Sequence, residues 1–202
     1  MSELLTHSII DAGRWIDAQG WCPATGGNFS ARIDSSTAWV TASGRHKGAL
    51  TPDDLIKVDF DGQVIDSALT PSAETLLHTA LYALDDNIGA VLHTHSVTST
   101  VLSRMVAADY LTLSGYEMQK SLSGNHTHNE QIGIRILENT QDMRALAQQL
   151  TSTWARTPLQ WGFLVRGHGL YAWGRDMKEA RRHIEGLEFL FACEREMMLL
   201  KK

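Results

Sequence analysis

His93 and His95 close the apolar run Gly89–Ala90–Val91–Leu92, and this junction constrains the chain more than any other stretch. A short run of branched apolar residues bounded by polar ones reads as a buried strand. Residues two apart on an extended chain face the same way, so both imidazoles leave the strand end on one side. Two imidazoles so placed can share one metal ion. Catalytic zinc takes three protein ligands and keeps a fourth position for water or substrate, so the pair requires a third ligand elsewhere. By itself the pair is a weak signal, because the chain has nine histidines. His126–Thr127–His128 repeats the spacing inside Ser-Gly-Asn-His-Thr-His-Asn, but no apolar run supports it, and it reads as a polar loop. His168 is the candidate third ligand. It lies between Gly167 and Gly169 where the apolar stretch Phe163–Val165 ends, so the backbone there can turn sharply and present the ring.

The rest of the chain reads as alternating helices and strands. Leu5, Ile9, Ala12 and Ile16 predict a helix over 2–19. Further helices are expected from Thr70-Pro71-Ser72 to about Leu84, over 96–106, over 141–154 and in a last long element capped by Asp176. Strands are expected at Phe29–Ile33, Thr37–Thr41, Leu55–Phe60, Gln63–Ile65, Tyr110–Ser114, Ile132–Leu137 and Phe163–Val165. At 202 residues, 43% hydrophobic, the chain fits one domain over 1–202. A net charge of −5 without a basic block argues against nucleic acid as a partner. No apolar run approaches the ~20 residues that span a bilayer. Cys22 and Cys193 form no CxxC pair and no signal peptide precedes them, which predicts a reducing cytoplasm.

Two loops beside strands are rich in small and hydroxyl-bearing residues: Ala24–Ser30, and Thr41–Gly48 with its cations Arg45 and Lys47. Glycines let backbone N–H groups approach an anion. Either loop alone is as well explained by a turn; together they make an anion site an even proposition. Glu74 lies in the first turn of its helix, as a carboxylate favoured by the helix N-terminus or as an acid/base group beside the metal. Glu117 follows a strand among few charges and is a second acid/base candidate. His78, His183 and His7 read as packed or surface residues, and Glu185 and Glu188 as a solvated helix face.

Five motifs occur in order: Thr-Gly-Gly-Asn-Phe-Ser from Thr25, Thr-Ala-Ser-Gly from Thr41, Pro-Ser-Ala-Glu from Pro71, His93-Thr-His95 and Gly167-His-Gly169. In this order and at these separations they resemble the class II aldolase family, which includes fuculose- and rhamnulose-phosphate aldolases, ribulose-phosphate 4-epimerases and the non-enzymatic adducin head. The resemblance implies a three-layer α/β/α sandwich with a central mixed, mostly antiparallel sheet. It also implies one zinc ion on His93, His95 and His168, a small ketose-phosphate substrate and a homotetramer. A finer likeness rests on Val-Leu-His-Thr-His-Ser, Gly115-Tyr-Glu-Met, Ile136-Leu-Glu-Asn-Thr and Val165-Arg-Gly-His-Gly-Leu-Tyr-Ala-Trp-Gly. These resemble the family's dehydratases of methionine salvage, which act on a methylthio-bearing ketose 1-phosphate.

That likeness implies Glu117 as the principal acid/base and Glu74, which matches the aldolases' catalytic glutamate, as a secondary one. The substrate phosphate is expected between the glycine-rich loops on Gly27, Asn28, Ser43, Gly44 and Lys47, with Arg45 able to replace Lys47. The alternative on the same scaffold is a sugar-phosphate aldolase or pentulose-phosphate 4-epimerase. Retention of all three histidines weighs against a binding role of the adducin kind. A purely structural zinc site closes with four protein ligands, and the motifs suggest no fourth.

Overall fold

A computed structural model describes residues 2–201. Its nine strands are β1 (Asn28–Arg32), β2 (Thr37–Thr41), β3 (Leu55–Asp59), β4 (Val64–Ile65), β5 (Ala90–Thr94), β6 (Tyr110–Leu113), β7 (Ile132–Leu137), β8 (Gly162–Val165) and β9 (Gly169–Gly174). They form one sheet in the order β4-β3-β2-β1-β5-β9-β8-β7-β6. The β7–β8 pair is parallel and the other pairings are antiparallel. Five α-helices are described: α1 (Ser2–Ala18), α2 (Thr75–Leu84), α3 (Val97–Met105), α4 (Met143–Arg156) and α5 (Met177–Leu200).

The helices cover both faces of the sheet, giving the three layers. Ile9 and Ile16 of α1, Leu102 of α3 and Ile184, Leu187 and Phe191 of α5 pack on one face with Phe29, Leu92 and Leu170. Leu77 and Leu81 of α2 and Leu146 and Leu150 of α4 pack on the other with Val91, Phe163 and Tyr171. Because both faces are covered, β5, β8 and β9 are buried along their whole length. A strand buried on both sides shows no alternation, which is why Gly169–Gly174 does not announce itself as a strand. No helix among the described residues is long and apolar enough to cross a membrane.

Two features position the site. On β5, Val91 and His93 point to the α2–α4 side while Leu92 points to the other. Helix α2 begins at Thr75 rather than at Thr70–Ser72, and Glu74 is its N-cap residue at φ −83° and ψ 0°. Glu74 therefore precedes the first helical turn, beside the end of β5 from which the histidines project.

Candidate metal centre

His93 lies within β5 opposite Tyr171, and His95 follows the strand, its N–H donating to the Trp21 carbonyl at 2.8 Å. His168 sits in the turn between β8 and β9, where Gly167 takes φ +67°. Gly169 admits that turn to the end of β5, since a Cβ there would fall 1.9 Å from the Thr94 carbonyl oxygen. Gly26 does the same for the first glycine-rich loop, where a Cβ would lie 2.6 Å from His95 Nδ1. The three Nε2 atoms converge: His93 to His95 at 2.8 Å, His95 to His168 at 3.0 Å and His93 to His168 at 3.3 Å. Glu74 completes the group, with Oε1 2.8 Å from His168 Nε2 and Oε2 3.7 Å from His93 Nε2. One ligand atom from each of these four residues lies within 4.8 Å of the others. Glu74 is thus a fourth donor at the histidine cluster, where the motifs suggested none.

The donor chemistry fits a metal ion. His93 Nδ1 donates to the Leu170 carbonyl at 3.0 Å, which leaves its Nε2 lone pair facing the other rings. Burial drives the His93 pKa well below its usual value and lowers that of His95, so both imidazoles are neutral near pH 7. Converging lone pairs repel unless a cation lies between them. A tetrahedral ion with bonds of 2.0–2.1 Å would set its nitrogens about 3.3 Å apart, close to the separations here. Burial opposes ionisation of Glu74, but the hydrogen bond with His168, the neighbouring His93 ring and a bond from Asn28 overcome it, and the carboxyl lies well below the usual carboxylate range. The group offers three imidazole nitrogens and one carboxylate oxygen, a set suited to a divalent cation.

Beside the cluster a cavity of about 260 Å³ opens between the two glycine-rich loops, lined among others by Gly27, Asn28, Ser43, Gly44, Lys47 and Ser72. Glu74 and His95 form its inner wall. The expected phosphate contacts thus share one cavity that adjoins the histidine cluster, but their surroundings differ in detail. Lys47 is 2% exposed, and its Nζ donates to the Thr25 and Arg45 carbonyls, each at 2.7 Å. It ties the loops together as well as charging the cavity. Arg45 pairs with Asp54 at 3.2 Å. The Asn28 amide is engaged by His78, Ser72 and Glu74. Ala24 and Thr25 take positive φ values of 51° and 66°, backbone strain of the kind found at ligand-binding loops.

Glu117 lies apart from this group. It opens the 3₁₀ turn Glu117–Ser121 after β6, its side chain is 71% exposed, and it pairs with Lys120 at 2.6 Å and His128 at 3.5 Å. The Lys120 bond is the main cause of its lowered pKa. Four strand spacings separate β6 from β5, roughly 19 Å at about 4.8 Å each. In addition, β6 ends level with the start of β7, while His168 lies beyond the end of β8. Within one chain, Glu117 does not reach the cluster.

Two other residues depart from the sequence reading. His78 is buried and wired to Asn28 rather than simply packed. Its position one helical turn after Glu74, on the same face, is the signal that marks it. Glu188 is 4% exposed and accepts from Ser96 Oγ at 2.7 Å, so it is no part of a solvated face. His183 is buried between the Trp173 carbonyl and Ser123. His126 and His128 remain exposed in a loop.

A three-layer sandwich thus carries a His₃–Glu cluster able to hold a metal ion beside a glycine-walled polar cavity. The model of the class II aldolase and adducin N-terminal domain matches residues 7–194, and the chain belongs to that family. Within it the chain is 55% identical to a methylthioribulose-1-phosphate dehydratase of Pectobacterium atrosepticum, over 96% of this chain and 95% of that protein. A protein of the same name from Serratia proteamaculans is also 55% identical, over 96% and 95%. Among solved structures, an L-fuculose-1-phosphate aldolase of Thermus thermophilus superposes with a TM-score of 0.80 at 25% identity, covering 100% of this chain and 98% of that one.

Proposed function

We propose that this protein dehydrates 5-methylthioribulose 1-phosphate to 2,3-diketo-5-methylthiopentyl 1-phosphate and water, the dehydration step of methionine salvage, with one zinc ion held by His93, His95 and His168. The observation that carries the chemistry is the His₃–Glu74 cluster opening directly onto the loop-walled cavity. The 55% identity to named dehydratases supports the substrate. A bound zinc ion supplies Lewis acidity that makes the proton beside the substrate carbonyl easier to remove.

The chain's own groups supply the rest. The loops hold the phosphate, with Lys47 charging the cavity and Gly27, Asn28, Ser43 and Gly44 shaping it. The C3 proton is taken by a carboxylate, the C4 hydroxyl leaves as water with a proton from an acid, and the enol tautomerises to the diketone. Glu117 is the principal acid/base group and Glu74 the secondary one. Because Glu117 stands about four strand spacings from the cluster of its own chain, it acts at the centre of a second copy within a homotetramer. Docking that copy would take the carboxyl out of water, which favours its protonated form, as a general acid requires. The two free cysteines support a reducing, cytoplasmic setting.

The test is incubation of zinc-loaded protein with methylthioribulose 1-phosphate. A single diketone product, lost on chelation and restored by zinc, is expected. Cleavage into two fragments would assign the site to the aldolases instead.

A further inference from the structure

Behind Glu74, Asn28 leads into a line of buried polar side chains, Ser30, His78 and Tyr82, that play no part in the proposed mechanism. The Asn28 amide nitrogen donates to Glu74 Oε2, and to Ser72 Oγ at 3.2 Å. Asn28 Oδ1 lies 2.5 Å from His78 Nε2. His78 Nδ1 lies 2.7 Å from Ser30 Oγ, and Ser30 Oγ 2.7 Å from the Tyr82 hydroxyl. Asn28, Ser30, His78 and Tyr82 are all buried.

Chemistry sets the direction of every bond in the line. A carboxylate only accepts, so the amide must turn its NH₂ to Glu74 and its carbonyl to His78. A carbonyl only accepts, so His78 must carry its proton on Nε2. Burial holds this imidazole neutral, its pKa brought down to about 4, so Nδ1 has a lone pair. Ser30 must then donate to Nδ1, and Tyr82 must donate to Ser30. The line has a single consistent polarity, running from the Tyr82 phenol to the Glu74 carboxylate.

We infer that His78 is a positioning residue: its Nε2–H fixes the Asn28 amide so that the amide N–H holds the Glu74 carboxylate against the metal-binding histidines. This rests on the reading of Glu74 as a working group of that centre. The alternative role, a packed core histidine, requires neither a particular tautomer nor a donor toward Asn28. Glu74 sits outside helix α2 as its N-cap and makes no capping bond there. The carboxylate is oriented by Asn28 and His168 instead.

The experiment compares His78→Phe with His78→Gln in zinc-loaded protein and reads the imidazole tautomer of wild-type His78 by nitrogen NMR. Gln can keep the donor toward Asn28; Phe keeps the bulk and loses it. We expect His78→Phe to lower kcat roughly 10–100-fold, the usual loss when a group supporting a metal site is removed, with KM and zinc content unchanged. His78→Gln should recover most of the lost kcat. In wild type, Nε2 should be protonated and Nδ1 bare at neutral pH. Wild-type kcat in His78→Phe, equal losses in both variants, or an Nδ1–H tautomer would each overturn the inference. If His78→Phe fails to fold, His78→Gln and the spectrum still decide. Absence of diketone formation by wild type would overturn the proposed reaction instead and leave the tautomer to judge the relay.

Discussion

The phenol ring of Tyr171 lies flat on the imidazole of His93, with centroids 3.9 Å apart and planes 13° apart. Phe163 continues the stack against Tyr171 at 4.8 Å and 9°. His93 is therefore fixed twice, in tautomer by the Leu170 carbonyl and in ring plane by Tyr171. The Tyr171 hydroxyl is buried without a hydrogen-bond partner among the described residues, and burial pushes its pKa well above the usual range. Such an unpaired group costs about 1–3 kcal/mol. Tyr171→Phe keeps the stack and removes that cost, so its Tm should equal or exceed that of wild type with zinc affinity unchanged. Tyr171→Leu should weaken zinc binding. Calorimetric zinc titration of both variants checks this; loss of zinc by the Phe variant would show that the hydroxyl, not the ring, serves the site.

Much of this arrangement is legible in the sequence where an apolar run sets the phase of a strand. Val91 and Leu92 orient β5, and the histidines after them inherit that orientation. The glycines around His168 mark a turn that only a residue without Cβ could make, given the Thr94 carbonyl beside it. Contacts that depend on partners distant in sequence are not legible. His78 looks like any core histidine until Asn28, 50 residues away, is brought against it. Glu188 borders the stripe of Ile184, Leu187 and Phe191, and only its bond to Ser96, 92 residues away, shows that it is inside. Glu117 is separated from the cluster by strand order, which no local pattern encodes.

Strand order makes a sharp prediction about Glu117. If it serves a second copy, a mixture of His93→Ala and Glu117→Gln chains contains some centres with intact histidines facing an intact carboxylate. Each variant alone should be nearly inactive, the glutamate change costing ~10²–10⁴ in rate. Co-refolding equal amounts should restore about a quarter of the centres in a symmetric homo-oligomer. Turnover of the mixture no higher than the sum of its parts would place Glu117 outside the reaction or return it to its own chain.

Lys47 predicts a split between binding and chemistry. Its ammonium joins the carbonyls of Thr25 and Arg45 across the two loops. Burial lowers its pKa, while the nearby Glu74 carboxylate counters that shift. Lys47→Met removes the shared donor, costing roughly 1–3 kcal/mol of stability, and lets Ala24 and Thr25 relax from positive φ. The cavity is built from these loops, whereas the histidines are held in β5, just beyond its end and in the turn after β8. KM should therefore rise at least about tenfold, as expected from losing a charge-assisted contact of ~1.5–3 kcal/mol, with zinc content unchanged and kcat little affected. Steady-state kinetics and metal analysis test this; a fall in kcat at constant KM would move Lys47 from binding to chemistry.

Glu188 lies on the other side of β5 from the histidines, where its carboxyl accepts from Ser96, the N-cap of α3 directly after His95. Burial pushes this carboxyl up to about 7 from 4.5, against the hydroxyls of Ser96, Ser99 and Thr94, which pull it down. An acid whose pKa is higher in the folded state is protonated there while still ionised in the unfolded chain. The folded state thus binds the extra proton between pH 4.5 and 7, and stability falls as pH rises through that window. Above it the penalty is complete, roughly 3 kcal/mol. His78, held down to about 4 by burial, works in the opposite sense, its destabilisation growing as pH falls from 6.5. Comparison with Glu188→Gln separates the two, because the variant keeps His78 and an acceptor for Ser96 but has no proton to lose. The variant should gain stability over wild type progressively across the window and hold that gain above neutrality. Thermal unfolding of both proteins against pH measures the difference; parallel curves would mean that Glu188 keeps an ordinary carboxylate pKa despite its burial.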